Sequence, residues 1–168
     1  MIEMTIKELF DVGVSFESSI GEGTKSERSR IPKNYARINL PKEIELKIMS
    51  IDLELNFLVS GEIWCPDFQI NTTVLKKFCD LNPNFNISVI TMARGKKFLS
   101  PILNIDKENF KGPTIVVLDK NFNVMGYFEE RPKAVKNIKN FDDIKLDYYK
   151  GKYILDSVND LLDIICNI

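Results

Sequence analysis

The chain has 168 residues, 44% of them hydrophobic and 28% charged, ordinary usage for one globular domain and too few residues for two comfortable ones. Its 23 basic and 24 acidic side chains nearly cancel, so no global field draws in nucleic acid or an anionic membrane. The absence of histidine excludes Ser-His and Cys-His catalysis, histidine-held metals and an imidazole pH switch.

The opening residues carry Glu3 and Glu8 and no long apolar run, so they do not read as a secretory signal. No stretch approaches the ~18 apolar residues of a membrane span, and a cytoplasmic, membrane-free protein is expected. Thr5 to Phe10 begins a helical pattern, with Ile6, Leu9 and Phe10 on one face. Residues 15–37 read as a loop: Gly21-Glu22-Gly23, several serines and Pro32. Lys25, Arg28, Arg30, Lys33 and Arg37 are interspersed with Glu17, Glu22 and Glu27, and only Tyr35 offers a stacking surface. A solvated loop is expected there rather than an anionic-partner site. Pro41 to Met49 reads as a short helix with proline near its start.

Leu53 to Ser60 reads as a buried strand and Pro66 to Leu81 as a helix, closed by Asn82-Pro83-Asn84. Ile87 to Met92 is a second strand rich in β-branched residues. Lys96 to Asn104, interrupted by Pro101, is a short helix or irregular turn. Gly112-Pro113 precedes a strand, Thr114 to Asp119; Lys120 to Asn123 turns the chain, and Val124 to Phe128 completes a hairpin. Helices are expected over Lys133 to Asn140 and from Tyr148 or Lys152 to Ile165. A strand–helix–strand unit wants a right-handed parallel crossover, the hairpin adds antiparallel strands, and helices cover both faces. The expected architecture is α/β: a central mixed sheet of about four strands, with residues 1–50 a helical extension packed on a core of residues 51–168.

The three cysteines, Cys65, Cys79 and Cys166, are odd in number and widely spaced. They form neither a disulfide framework nor a zinc pattern, and no metal or cofactor is expected. Cys65 leaves a buried strand and stands at the first turn of a helix, where unpaired N–H groups favour a thiolate, the reactive form of sulfur. Pro66 suits the first helical turn. Trp64 would wall the sulfur.

Trp64-Cys65-Pro66-Asp67-Phe68 resembles the active-site motif of the thioredoxin family, Trp-Cys-x-x-Cys, with Phe68 where the second cysteine belongs. Gly112-Pro113-Thr114, before a Val/Ile-rich strand, is similar to that family's cis-proline loop. Gly126-Tyr127-Phe128 through Arg131-Pro132 resembles a bacterial thioredoxin-like subgroup with an N-terminal helical extension and a Trp-Cys-(Gly or Pro)-Asp start. The resemblance implies a thioredoxin-like fold, a cis peptide bond before Pro113, and an exposed Gly112 backbone with which an extended substrate can pair as an added strand.

The departures matter for mechanism. Phe68 cannot release a mixed disulfide as a second cysteine does. Cys79, on the same predicted helix, is about 21 Å away by helical rise, beyond disulfide reach; Cys166 cannot be placed. Val59 stands where many thioredoxins carry a buried aspartate. Asp67 and Glu62 oppose a thiolate at Cys65. The segment that glutaredoxins use beyond the hairpin is missing, and the cluster Arg94, Lys96 and Lys97 reads as plain surface.

The expected function is therefore monothiol thiol–disulfide exchange through Cys65 with protein or low-molecular-weight thiols and disulfides, shaped by Trp64, Pro66, Asp67, Phe68, Gly112 and Pro113, and without dithiol reductase activity. On that reading Cys65 is the most readily alkylated thiol, with an apparent pKa below about 8.5. The alternative is a redox-inactive binding domain using the groove beside Pro113. Oligomeric state is left open.

Overall fold

Residues 3–167 are described in the computed structural model. Four strands, β1 (Leu55–Ser60), β2 (Phe85–Ile90), β3 (Thr114–Leu118) and β4 (Val124–Glu129), form one sheet in the order β2-β1-β3-β4. β1 and β2 are parallel, with Val59 opposite Val89; β3 runs antiparallel to both β1 and β4, with Ile115 opposite Val59 and Phe128. Successive strand side chains alternate between faces. Phe57, Val59, Ile115 and Val117 thus enter one apolar cluster, while Leu58, Val116 and Leu118 enter a second. Burial on both faces is why β1 and β3 read as near-continuous apolar runs.

The first face is covered by α5 (Pro66–Leu81) and α10 (Ile154–Cys166). Phe68, Val74, Leu75 and Phe78 of α5 meet Val158, Leu161 and Ile165 of α10 there. Each such side chain contributes about 1.5–3 kcal/mol when fully buried. The second face is covered by α1 (Ile6–Val12) and the segment after β2, through Leu9, Leu99 and Phe110.

Residues 15–37 are not a loop. They form α2 (Phe16–Gly21) and α3 (Lys25–Ala36), followed by α4 (Lys42–Ser50). The serines and threonines that imitate a loop are helix caps. Ser15 accepts from Ser18 N–H, and Thr24 accepts from Glu27 N–H while the Glu27 carboxylate accepts from Thr24 N–H, a reciprocal capping box. Pro32 sits inside α3, giving up one backbone hydrogen bond. Phe16, Ile31, Ile38 and Ile48 join the same cluster as α5. Val14 exchanges backbone hydrogen bonds with Val89 and so covers part of the β2 edge.

Smaller differences have local causes. Thr91 caps α6 (Met92–Arg94), so β2 ends before Met92. A π-helical stretch, Gly95–Leu99, joins α6 to α7 (Ser100–Ile102). The helix expected to reach Asn140 is a single turn, α8 (Lys133–Lys136), before a 3-10 turn at Phe141–Asp143 and α9 (Lys145–Tyr149). Among the described residues no helix is long and apolar enough to cross a membrane.

Candidate functional site

Cys65 is the N-cap of α5 and Pro66 its first residue. The Cys65 backbone is extended, and its carbonyl accepts the first helical bond from Gln69 N–H at 3.1 Å. The side chain is half-buried. Its Sγ lies 3.9 Å from the Gly112 carbonyl oxygen and 3.9 Å from Asp67 Oδ2, so a thiol hydrogen has two acceptors. The Gly112–Pro113 peptide is cis. Pro113 is buried and Gly112 partly exposed. Trp64 stands 65% exposed beside the sulfur, a free apolar surface rather than a packed wall.

Phe68 is fully buried one turn along α5. Gly61 allows this: a Cβ there would lie 2.6 Å from the Phe68 ring and 3.2 Å from Pro113. Val59 is likewise wholly buried in the apolar cluster.

Asp67 is buried, and Arg131, just after β4, and Tyr148 of α9 converge on its carboxylate. Arg131 donates from Nε to Oδ1 at 2.9 Å and from Nη2 to Oδ2 at 3.4 Å, and the Tyr148 hydroxyl donates to Oδ1 at 2.8 Å. The guanidinium lies 3.6 Å from the Phe141 ring centroid, a cation–π contact. Asn71, one turn after Asp67, donates from Nδ2 to the Asp67 and Glu130 carbonyls and to the Tyr148 hydroxyl, and accepts from Ser157 at 2.6 Å. Glu130 adopts left-handed backbone geometry (φ +62°), and its N–H donates to the Pro113 carbonyl at 2.7 Å. Asp67 is thereby joined through one polar network to Pro113, the residue that leads into β3.

This geometry overturns the expectation of a lowered thiol pKa. Burial pushes the Cys65 thiol up; Asp67 and Glu130 push the same way, and the N–H groups of Phe68 and Asp67 pull back only in part. The Glu62 carboxylate accepts from Met92 N–H at 3.0 Å. Cys166 is the exposed cysteine, and Cys65 and Cys79 are half-buried. Burial also raises Tyr148, with Asp67 adding to it, so its hydroxyl stays a donor. Cys79 is half-buried and pushed up to about 12, mainly by burial.

Neither remaining cysteine approaches Cys65. α5 is unbroken from Pro66 to Leu81, so Cys79 stays about 21 Å along it by helical rise. α10 meets the site end of α5 at Ser157 and then runs away from it, since Ile164 packs at Gly126, and Cys166 lies beyond. All three are free thiols. Among the described residues no group of three or more acidic or sulfur side chains is arranged to hold a metal ion.

Sequence reasoning missed Arg131, Tyr148, Asn71 and Ser157 as site residues. The one local signal is Asp67 and Asn71 at i and i+4, two polar side chains on a helix face that is otherwise core.

A parallel strand pair, a cysteine capping the helix between its strands, and a cis-proline leading into an antiparallel hairpin together define the thioredoxin-like class. The Thioredoxin family model matches residues 13–145, and the chain belongs to that family. A crystallised protein of unknown function from Pseudomonas aeruginosa is 31% identical over 99% of both chains, with a TM-score of 0.89. An HIV epitope-scaffold is 32% identical, covering 98% of this chain and 99% of its own, with a TM-score of 0.90. No curated protein matches the sequence.

Proposed function

We propose that the protein exchanges disulfides through one sulfur, Cys65, with Phe68 standing where dithiol members of the family carry a second cysteine. The observation that carries this reading is the position of Sγ, 3.9 Å from the Gly112 carbonyl, where a disulfide of an extended peptide or small thiol meets both sulfur and backbone. The Cys65 thiolate attacks one sulfur of the substrate disulfide. A new Cys65–sulfur bond forms, the old S–S bond breaks, and the other half leaves as a thiolate. A thiol from solution reverses the adduct, since no resolving cysteine is within reach. Burial of the thiol makes exchange slow at neutral pH and faster as pH rises. Three free cysteines suit a reducing compartment, and the cytoplasm is proposed. The Trp64 to Asp67 run and Arg131-Pro132 support the further reading that the chain is of a bacterial thioredoxin-like subgroup, with residues 1–50 a helical extension of the 51–168 core within one domain.

The test uses the Cys166→Ser chain, so that the surface thiol does not report. Treatment with glutathione disulfide, followed by intact mass and peptide mapping, is expected to give one dithiothreitol-reversible adduct at Cys65. Insulin reduction is expected to be absent.

A second reading, a redox-inactive binding domain, is favoured by the raised thiol pKa together with the exposed Trp64. It requires that Cys65→Ser leave partner capture intact and that no adduct form at Cys65.

A further inference from the structure

We propose that a cationic cleft on α3, beside the Cys65 turn, receives the carboxylate end of a small disulfide; this rests on the exchange reading above. The cleft has a volume of about 280 Å³ and lies between α3, α5 and Tyr149. Arg30, Lys33 and Arg37 line it, at helical spacing on one face, together with Gln69 and Pro66. Among the described residues no acidic side chain lines it. None of the three cations takes part in an ion pair among the described residues.

What holds the guanidiniums is neutral and buried. Arg30 Nη1 donates to Gln69 Oε1 at 3.4 Å, and Arg37 Nη1 donates to Asn34 Oδ1 at 3.2 Å and the Tyr149 carbonyl at 3.0 Å. Gln69 and Asn34 are fixed in turn: Gln69 donates to the Ile63 carbonyl at 2.7 Å and Asn34 to the Gln69 carbonyl at 3.0 Å. Both amides are buried. Among the described residues the remaining N–H groups of Arg30 and Arg37 have no protein acceptor, in a geometry that suits carboxylate. Like charges crowded on one helix face repel, so an anion between them is favoured.

Other charged hollows lack this character. The cleft containing Arg94 also holds Glu22 and Glu62, so its cation is already offset. Burial, Asp67 and Glu130 are what push the Cys65 thiol up; the role of the α3 cations is toward the ligand. Pro66 lines the cleft and directly follows Cys65, so a carboxylate held there brings its own disulfide to Sγ within the reach of a short peptide. Glutathione disulfide has this chemistry. On attack, Cys65 Sγ bonds to one glutathionyl sulfur and is oxidised; the other half leaves reduced, as a thiolate, and the proton lost from Cys65 passes to solvent.

The experiment compares rate constants for Cys65 in the Cys166→Ser chain with glutathione disulfide and with uncharged hydroxyethyl disulfide. The ratio of the two is expected to fall on the order of tenfold in Arg30→Gln/Lys33→Gln, and to fall with salt in the parent. Lys33→Gln alone, an exposed change that spares folding, lowers it less. An unchanged ratio overturns the cleft. Binding of S-methylglutathione, which cannot exchange, is measured by calorimetry on Cys65→Ser/Cys166→Ser. Saturable binding that is lost with Arg30 and Lys33 supports the cleft even where no disulfide reacts at Cys65, a result that fells the exchange reading alone. No saturable binding overturns the cleft whatever the sulfur does.

Discussion

The first turn of α5 separates two charged regions that treat their cations differently. On the β4 side, Arg131 is mostly buried, and a bidentate carboxylate, an aromatic face and a neighbouring glutamate surround it. On the α3 side, Arg30, Lys33 and Arg37 line an open cleft with only neutral partners. A buried, fully bonded ion pair orders the structure around it, and removing one member leaves an uncompensated charge. An unpaired cluster adds no such order and is free to meet an anion from outside. Cys65 lies between the two regions. The paired side helps keep its thiol protonated, through Asp67; the unpaired side is where a substrate's charge belongs.

Substitutions break or sharpen this contrast. Asp67→Ala has the largest expected effect: Arg131 and Tyr148 lose their shared acceptor, at a stability cost of about 3–5 kcal/mol, read from urea unfolding. Phe68→Cys empties a fully buried ring site, costing about 3 kcal/mol by the same measurement. It also puts a second thiol one helical turn from the first, within disulfide span, so insulin reduction should appear where the parent has none. Tyr148→Phe removes one hydroxyl from the network, leaves Asp67 and Asn71 each short of a partner, and costs about 1–2 kcal/mol. Lys33→Gln, on the unpaired side, changes stability by no more than about 0.5 kcal/mol and in the stabilising direction, since it relieves repulsion.

The parts of the fold that rest on local chemistry were legible. α5 begins at a Cys65–Pro66 cap and ends at Asn82-Pro83, and its bounds follow from those residues. β1 and β3 were visible because both faces are apolar. α3 was not: only Ile31 and Asn34 of its residues are buried, too few apolar positions to advertise a helix, and Pro32 sits inside it. At the site, the junction of Cys65 with Gly112-Pro113 was readable from motif order. The pairing of Asp67 with Arg131 and Tyr148 was not, because these residues are far apart in the chain and meet only through the hairpin and α9. The helix N-terminus predicted a lowered thiol pKa, with Asp67 opposing it from two residues away; the burial that reverses the direction, and the approach of Glu130, depend on tertiary packing.

The most direct measurement is the pH profile of Cys65 modification in Cys166→Ser, followed site by site by mass spectrometry, with Asp67→Asn alongside. Burial and Asp67 predict a rate that climbs through a midpoint above the ordinary thiol value of 9.0, and a lower midpoint in Asp67→Asn. A midpoint below about 8.5, or one that Asp67→Asn leaves unmoved, contradicts the picture of a single sulfur kept protonated beside a buried carboxylate.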